Sequence, residues 1–161
     1  MVFTHPGGAM RKLVSSILAI ILTAAALVAI QSQQAAAASY CVQIYRIWYN
    51  SPGTDTRTNA SLNGEWISLH NRCSTARSLN NWVIRDAARH TFNFGTYRLG
   101  GGKYVRVHTG KGTNTATDRY WGQGNYIWNN DKDTAYLRNG PSGTLIDTCS
   151  YNNSSSSWVA C

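Results

Sequence analysis

Trp82–Phe94 reads WVIRDAARHTFNF, and Val105–Leu137 reads VRVHTGKGTNTATDRYWGQGNYIWNNDKDTAYL. Short apolar and aromatic runs alternate here with clusters of Asp, Asn, Gly and Thr, a pattern of strands and turns without helical periodicity. The sequence predicts a strand over Leu79–Arg85, a turn at Asp86-Ala87-Ala88-Arg89, and a strand over His90–Phe94 with His90, Phe92 and Phe94 on one face. Gly100-Gly101-Gly102 marks a tight turn before Tyr104–Val107, whose alternation points Val105 and Val107 inward and Tyr104 and Arg106 outward. Asn129–Asp133 is an Asx-rich turn.

Outward from this stretch the same grammar continues. Val42–Tyr49 (VQIYRIWY) alternates with period two and is rich in aromatic and β-branched residues. A polar loop over Asn50–Asn63 leads to a strand over Glu65–His70, and the final hairpin pairs Thr134–Arg138 with Thr144–Thr148 across Asn139–Gly143. Ser154–Ser157 reads as slack before Trp158 and Cys161. Short strands at this spacing predict a β-sandwich or barrel.

The N-terminal end reads differently. Arg11-Lys12, the apolar run Leu13–Ile30 and QSQQAAAA have the order of a secretory signal peptide, with Ala36 and Ala38 placed for cleavage after residue 38. Met10 precedes the basic pair and is an alternative translation start. The competing reading keeps Leu13–Ile30 as an uncleaved membrane anchor. Cleavage leaves residues 39–161, enough for one domain with its own core and no remaining membrane span.

All four cysteines, Cys41, Cys73, Cys149 and Cys161, fall in this domain, and an even count in an exported chain predicts two disulfides. Four cysteines allow three pairings. If Val42–Tyr49 and Glu65–His70 pair antiparallel, Cys41 lies beside Cys73, which leaves Cys149 with Cys161 to tether the tail. No C-x-x-C spacing favours zinc, and neither metal nor cofactor is expected. Losing Arg11 and Lys12 takes the net charge from +8 to +6. Arg outnumbers Lys, which suits contacts to anions such as a cell-wall polymer or extracellular DNA. The alternative is that the charge serves solubility.

Several motifs recur in an ordered series: Ser51-Pro52-Gly53, Leu62-Asn63-Gly64-Glu65-Trp66 with Asn71, Leu79 and Trp82, Asp86-Ala87-Ala88 with His90, and His108-Thr109-Gly110. Gly112–Thr115, Tyr120-Trp121-Gly122, Trp128–Asp131, Asp133 and Leu137 complete it. Together they resemble the lamin tail domain of secreted bacterial proteins of the actinobacterial type. The resemblance implies an all-β, immunoglobulin-like sandwich serving as an extracellular binding or scaffolding module, with another exported protein among the conceivable partners. It implies no reaction. The chain departs from the family at two turns where Gly is common, carrying Arg89 and Lys132 instead.

Candidate chemistry is sparse. The domain holds one Glu and six Asp, and Glu65 reads either as a general base or as a buried carboxylate bonding a neighbouring loop; the second is favoured, because no second carboxylate has a matching spacing. Asn129–Asp133 lacks the Gly and closing Glu of a calcium loop. His70, His90 and His108 fall on or beside different strands. Around Gly110-Lys111-Gly112 the phosphate-loop pattern fails, since Val105 stands where it needs Gly, and no G-x-S-x-G elbow occurs. No catalytic residue is assigned. The binding candidates are the aromatic loop with Tyr120, Trp121, Tyr126 and Trp128, and the cations Arg89, Arg106, Lys111, Arg119 and Lys132. For Trp121 and Trp128 the competing role is to plug the end of the core. Arg89, Lys111, Arg119 and Lys132 are expected to be solvent-exposed.

Overall fold

Strand β1 (Val42–Trp48) runs antiparallel to β2 (Trp66–Asn71), Val42 facing Asn71 and Trp48 facing Trp66. The computed structural model describes Met1 and residues 40–161. Residues 2–38 of the expected leader lie outside the described residues. Among the described residues no helix is long and apolar enough to cross a membrane.

The polar segment between β1 and β2 contains a helix that sequence reading missed, α1 (Asn59–Gly64). Its start is set by Thr58, whose hydroxyl accepts from the Ser61 amide, and Leu62 anchors its inner side. After β2 come β3 (Arg77–Ser78), β4 (Val83–Arg85), β5 (Thr91–Asn93), β6 (Arg98–Leu99), β7 (Tyr104–His108), β8 (Asp118–Tyr120), β9 (Lys132–Arg138), β10 (Leu145–Asn152) and β11 (Trp158–Ala160). The expected strand over Leu79–Arg85 is shorter, because the Trp82 amide bonds back to the Leu79 carbonyl and Asn81 takes a positive φ of 60°.

Five strands form one sheet in the order β11-β1-β2-β7-β8, and four form another in the order β10-β9-β4-β5; β3 and β6 make a small third ribbon. The fold is an immunoglobulin-like β-sandwich. Ile44, Ile47, Ile67, Leu69, Val105 and Val107 of the first sheet and Ile84, Ala135, Leu137 and Ile146 of the second build the core. Each large side chain removed from water contributes about 1.5–3 kcal/mol.

Both expected disulfides form. Cys41–Cys73 closes the ends of β1 and β2, Cα atoms 5.2 Å apart. Cys149–Cys161 joins β10, in the four-stranded sheet, to the residue after β11, in the five-stranded sheet. Ser154–Ser157 belongs to no strand or helix, and beyond it the tail forms an edge strand on β1, Trp48 facing Trp158 and Arg46 facing Ala160.

Asn71 closes β2 and organises the next turn. Its buried amide donates to the carbonyls of Thr75, Leu99 and Gly100, while its oxygen accepts from the Cys73 amide. Gly101 then passes so close to the Ser74 carbonyl that a Cβ there would collide with it. These contacts fix the approach to β7.

Candidate binding face

The outer side of the five-stranded sheet is assembled by register. Trp158, Trp48, Trp66, His108 and Tyr120 face one another across β11, β1, β2, β7 and β8. Trp48 stacks with Trp66 at 5.8 Å and with Trp158 at 6.5 Å, and His108 stacks with Tyr120 at 5.1 Å. The next row runs Ala160, Arg46, Ser68, Arg106, Asp118. A third group holds Tyr45, His70 and Tyr104, with His70 stacked on Tyr104 at 4.0 Å.

A bulge makes this face possible. Pairing between β1 and β2 shifts between Ile44 and Arg46, so Tyr45 and Arg46 both turn away from the core while Ile44 and Ile47 both enter it. Strict alternation would have sent Arg46 and Trp48 inward with Val42 and Ile44.

The cations of this face are held by rings rather than by carboxylates. The Arg46 guanidinium lies 4.3 Å over Trp158, and that of Arg106 lies 4.9 Å over Trp66. Among the described residues the close contacts between basic groups and carboxylates are His90 with Asp86 and His108 with Asp118, so neither arginine makes an ion pair. Asp118 is held below the ordinary carboxylate range, chiefly by the Thr117 hydroxyl and then by His108 and Arg106. His70 is pushed below its ordinary value by burial and by Arg72. Large rings nevertheless meet water here, Tyr45, Tyr104 and Trp158 being 38%, 43% and 40% exposed.

A family model described as Lamin Tail Domain matches residues 35–153. The chain belongs to the lamin tail domain family. No curated protein matches it. The match ends at Asn153, so the strand that carries Trp158, and Cys161 that fastens it, lie beyond the matched part of this lamin tail domain.

Of the binding residues expected from sequence, the lamin tail sandwich brings Arg106 and Tyr120 onto this face. The others are elsewhere. Trp128 is core, 1% exposed, and Trp121 packs between Trp128 and Phe92, so these rings close the end of the sandwich. Tyr126 is spent on the frame, its hydroxyl 2.6 Å from Ser61 Oγ. Arg119 is not solvent-exposed as expected; β8 turns it away from Arg106, half-buried, with its guanidinium 4.1 Å over Tyr97. Lys111 is exposed beside α1, where its backbone is held by Asn59 and Asn63. Arg89 and Lys132 are exposed near the turns joined by Asp133, whose carboxylate accepts from the amides of Ala87, Asn129 and Thr134. That same bonding makes Asn129–Asp133 a structural Asx turn.

Glu65 belongs to the frame as well. It is fully buried, and its Oε1 accepts from the Thr109 hydroxyl at 2.6 Å and the Ile127 amide at 2.8 Å, tying the long loop back to the start of β2. Burial raises its pKa to about 7. Asp86 is bound to the amide and ring of His90.

Sequence reasoning missed Trp48, Trp66, Trp158, Arg46, Tyr45, His70 and Tyr104 as members of one surface. The available signal was the density of aromatic, histidine and arginine residues in three separate strands, Tyr45, Arg46 and Trp48, Trp66 and His70, and Tyr104, Arg106 and His108. Only the register shows that the three coincide.

Proposed function

We propose that this lamin tail domain is an exported, non-catalytic binding module whose ligand lies on the outer face of the five-stranded sheet. The observation that carries the reading is the five-strand aromatic row, with two arginines over its indoles that make no ion pair among the described residues. A guanidinium held over a ring has little freedom left to lose on binding, and Arg106 is exposed to meet a ligand. The apolar leader sequence and the two disulfides support export. A binding role is favoured over a catalytic one because Glu65, Asp86 and Asp133 all serve the frame.

The test is retention of the purified domain, residues 39–161, on isolated cell-envelope polymers. The wild type is expected to be retained, and an Arg46→Ala/Arg106→Ala variant with an unchanged near-ultraviolet spectrum is expected to wash through. Equal retention of the two would overturn the assignment of this face.

A further inference from the structure

Beside the aromatic rows, the sheet face opens into a groove of about 680 Å³ bordered by Arg98, Lys103, Tyr104, Arg106, Thr117 and Asp118. It is built by the topology. Arg98 comes from the small ribbon, Lys103 from the turn after it, Tyr104 and Arg106 from β7, and Thr117 and Asp118 from the chain entering the parallel strand β8. Asn71 clamps one wall through the Leu99 and Gly100 carbonyls, and the Arg106 amide holds the other through the Thr117 carbonyl at 2.8 Å. The groove is thus formed before any ligand arrives.

Its charge is uneven. Arg98, Lys103 and Arg106 are exposed and have no ion-pair partner among the described residues. The one bordering carboxylate, Asp118, is engaged by His108 Nε2 at 3.0 Å and by the Thr117 hydroxyl at 2.7 Å. Arg106 also belongs to the row that continues through Ser68 to Arg46, two strand spacings or about 10 Å away. The cations therefore form a track leading out of the groove and across the sheet.

We infer that this groove and track bind a linear polyol phosphodiester, the chemistry of an anionic wall polymer, with its phosphates on Arg98, Lys103, Arg106 and Arg46. The inference rests on the proposed binding face and names its ligand class. A polymer suits the surface because its charges repeat along a line, as the cations do. Phosphodiester oxygens match the paired N–H edge of a guanidinium, and polyol hydroxyls meet Tyr104 and Thr117. Single-stranded nucleic acid fits less well, because binding it relies on open ring faces for base stacking. Here Trp48 lies between Trp66 and Trp158, Arg46 and Arg106 lie over the indoles of Trp158 and Trp66, and Tyr104 is stacked on His70.

The experiment titrates residues 39–161 with poly(glycerol phosphate), with an oligodeoxythymidylate of equal charge, and with polyglutamate, over a range of salt. The wild type is expected to bind poly(glycerol phosphate) with a logarithmic salt slope of about 3, and the other two polymers at least about tenfold more weakly. Arg98→Ala/Lys103→Ala is expected to lose about tenfold or more and to lower the slope by about one to two, with its thermal midpoint unchanged. Oligodeoxythymidylate or polyglutamate binding as tightly as poly(glycerol phosphate) would overturn the ligand class. If the groove variant binds normally while Arg46→Ala/Trp158→Ala does not, the groove is wrong and the face stands. If neither variant changes binding, both fail.

Discussion

Arg46 on β1 lies over the indole of Trp158 on β11, 4.3 Å from its centroid, so the outer face of the five-stranded sheet is completed by a strand that the Cys149–Cys161 disulfide fastens to the opposite sheet. Edge strands of three residues are weak on their own. Replacing both cysteines with Ser should therefore release β11, at a cost of about 3 kcal/mol for a closed loop of this length. The measurement is the urea midpoint together with tryptophan emission, which should shift to the red as Trp158 leaves its stack. An unchanged emission spectrum would show that β1 holds the tail unaided.

Glu65 should give the domain an unusual pH dependence. Its folded-state pKa of about 7 lies above the ordinary 4.5, so between these values the native state keeps a proton that the unfolded chain has released. This contribution is fully present below pH 4.5 and is lost as pH rises to about 7, a change on the order of 3 kcal/mol. Glu65→Gln keeps the acceptor for Thr109 and Ile127 and removes the titration. The stability difference between wild type and variant, measured by urea unfolding from pH 4 to 8, should slope in that window and be flat above it.

The buried amide of Asn71 serves three carbonyls and one backbone N–H. Asn71→Ala leaves these groups without their partner and should cost about 2–4 kcal/mol. Asn71→Asp should cost more, because it sets an oxygen against the Leu99 and Gly100 carbonyls. Denaturant midpoints at a fixed slope read both effects.

Arg89 occupies a φ of 75°, a conformation that favours glycine. Arg89→Gly should relieve backbone strain and stabilise the domain by about 1 kcal/mol. Binding to the sheet face should not change, since Arg89 lies in the β4–β5 turn. A loss of affinity in this variant would relocate the ligand to that end.

The sandwich was legible because turn residues punctuate the chain and buried and outward positions alternate cleanly in β7 and β9. The disulfide pairing followed once β1 and β2 were taken as partners. The aromatic and arginine rows of the five-stranded sheet were not legible, for two physical reasons. The bulge at Tyr45 reverses the alternation of β1, so a strict period of two places Arg46 and Trp48 on the wrong side. The row itself crosses five strands spread from Trp48 to Trp158, and its register is a tertiary property. The loop Tyr120–Trp128 drew attention because its rings are adjacent in sequence, yet Trp128 is the most deeply buried of them. Helix α1 escaped notice because its six residues are mostly polar and Leu62 is its one buried member.

Whether the ligand lies on the outer face of the five-stranded sheet is tested most directly by a proton–nitrogen NMR titration of the domain with poly(glycerol phosphate). The largest shifts are expected on the indole N–H groups of Trp66 and Trp158 and the guanidinium signals of Arg46 and Arg106, with Ala87, Ala88 and Lys132 unmoved. Shifts confined to Ala87, Ala88, Arg89 and Lys132, with the tryptophan signals unchanged, would contradict this placement.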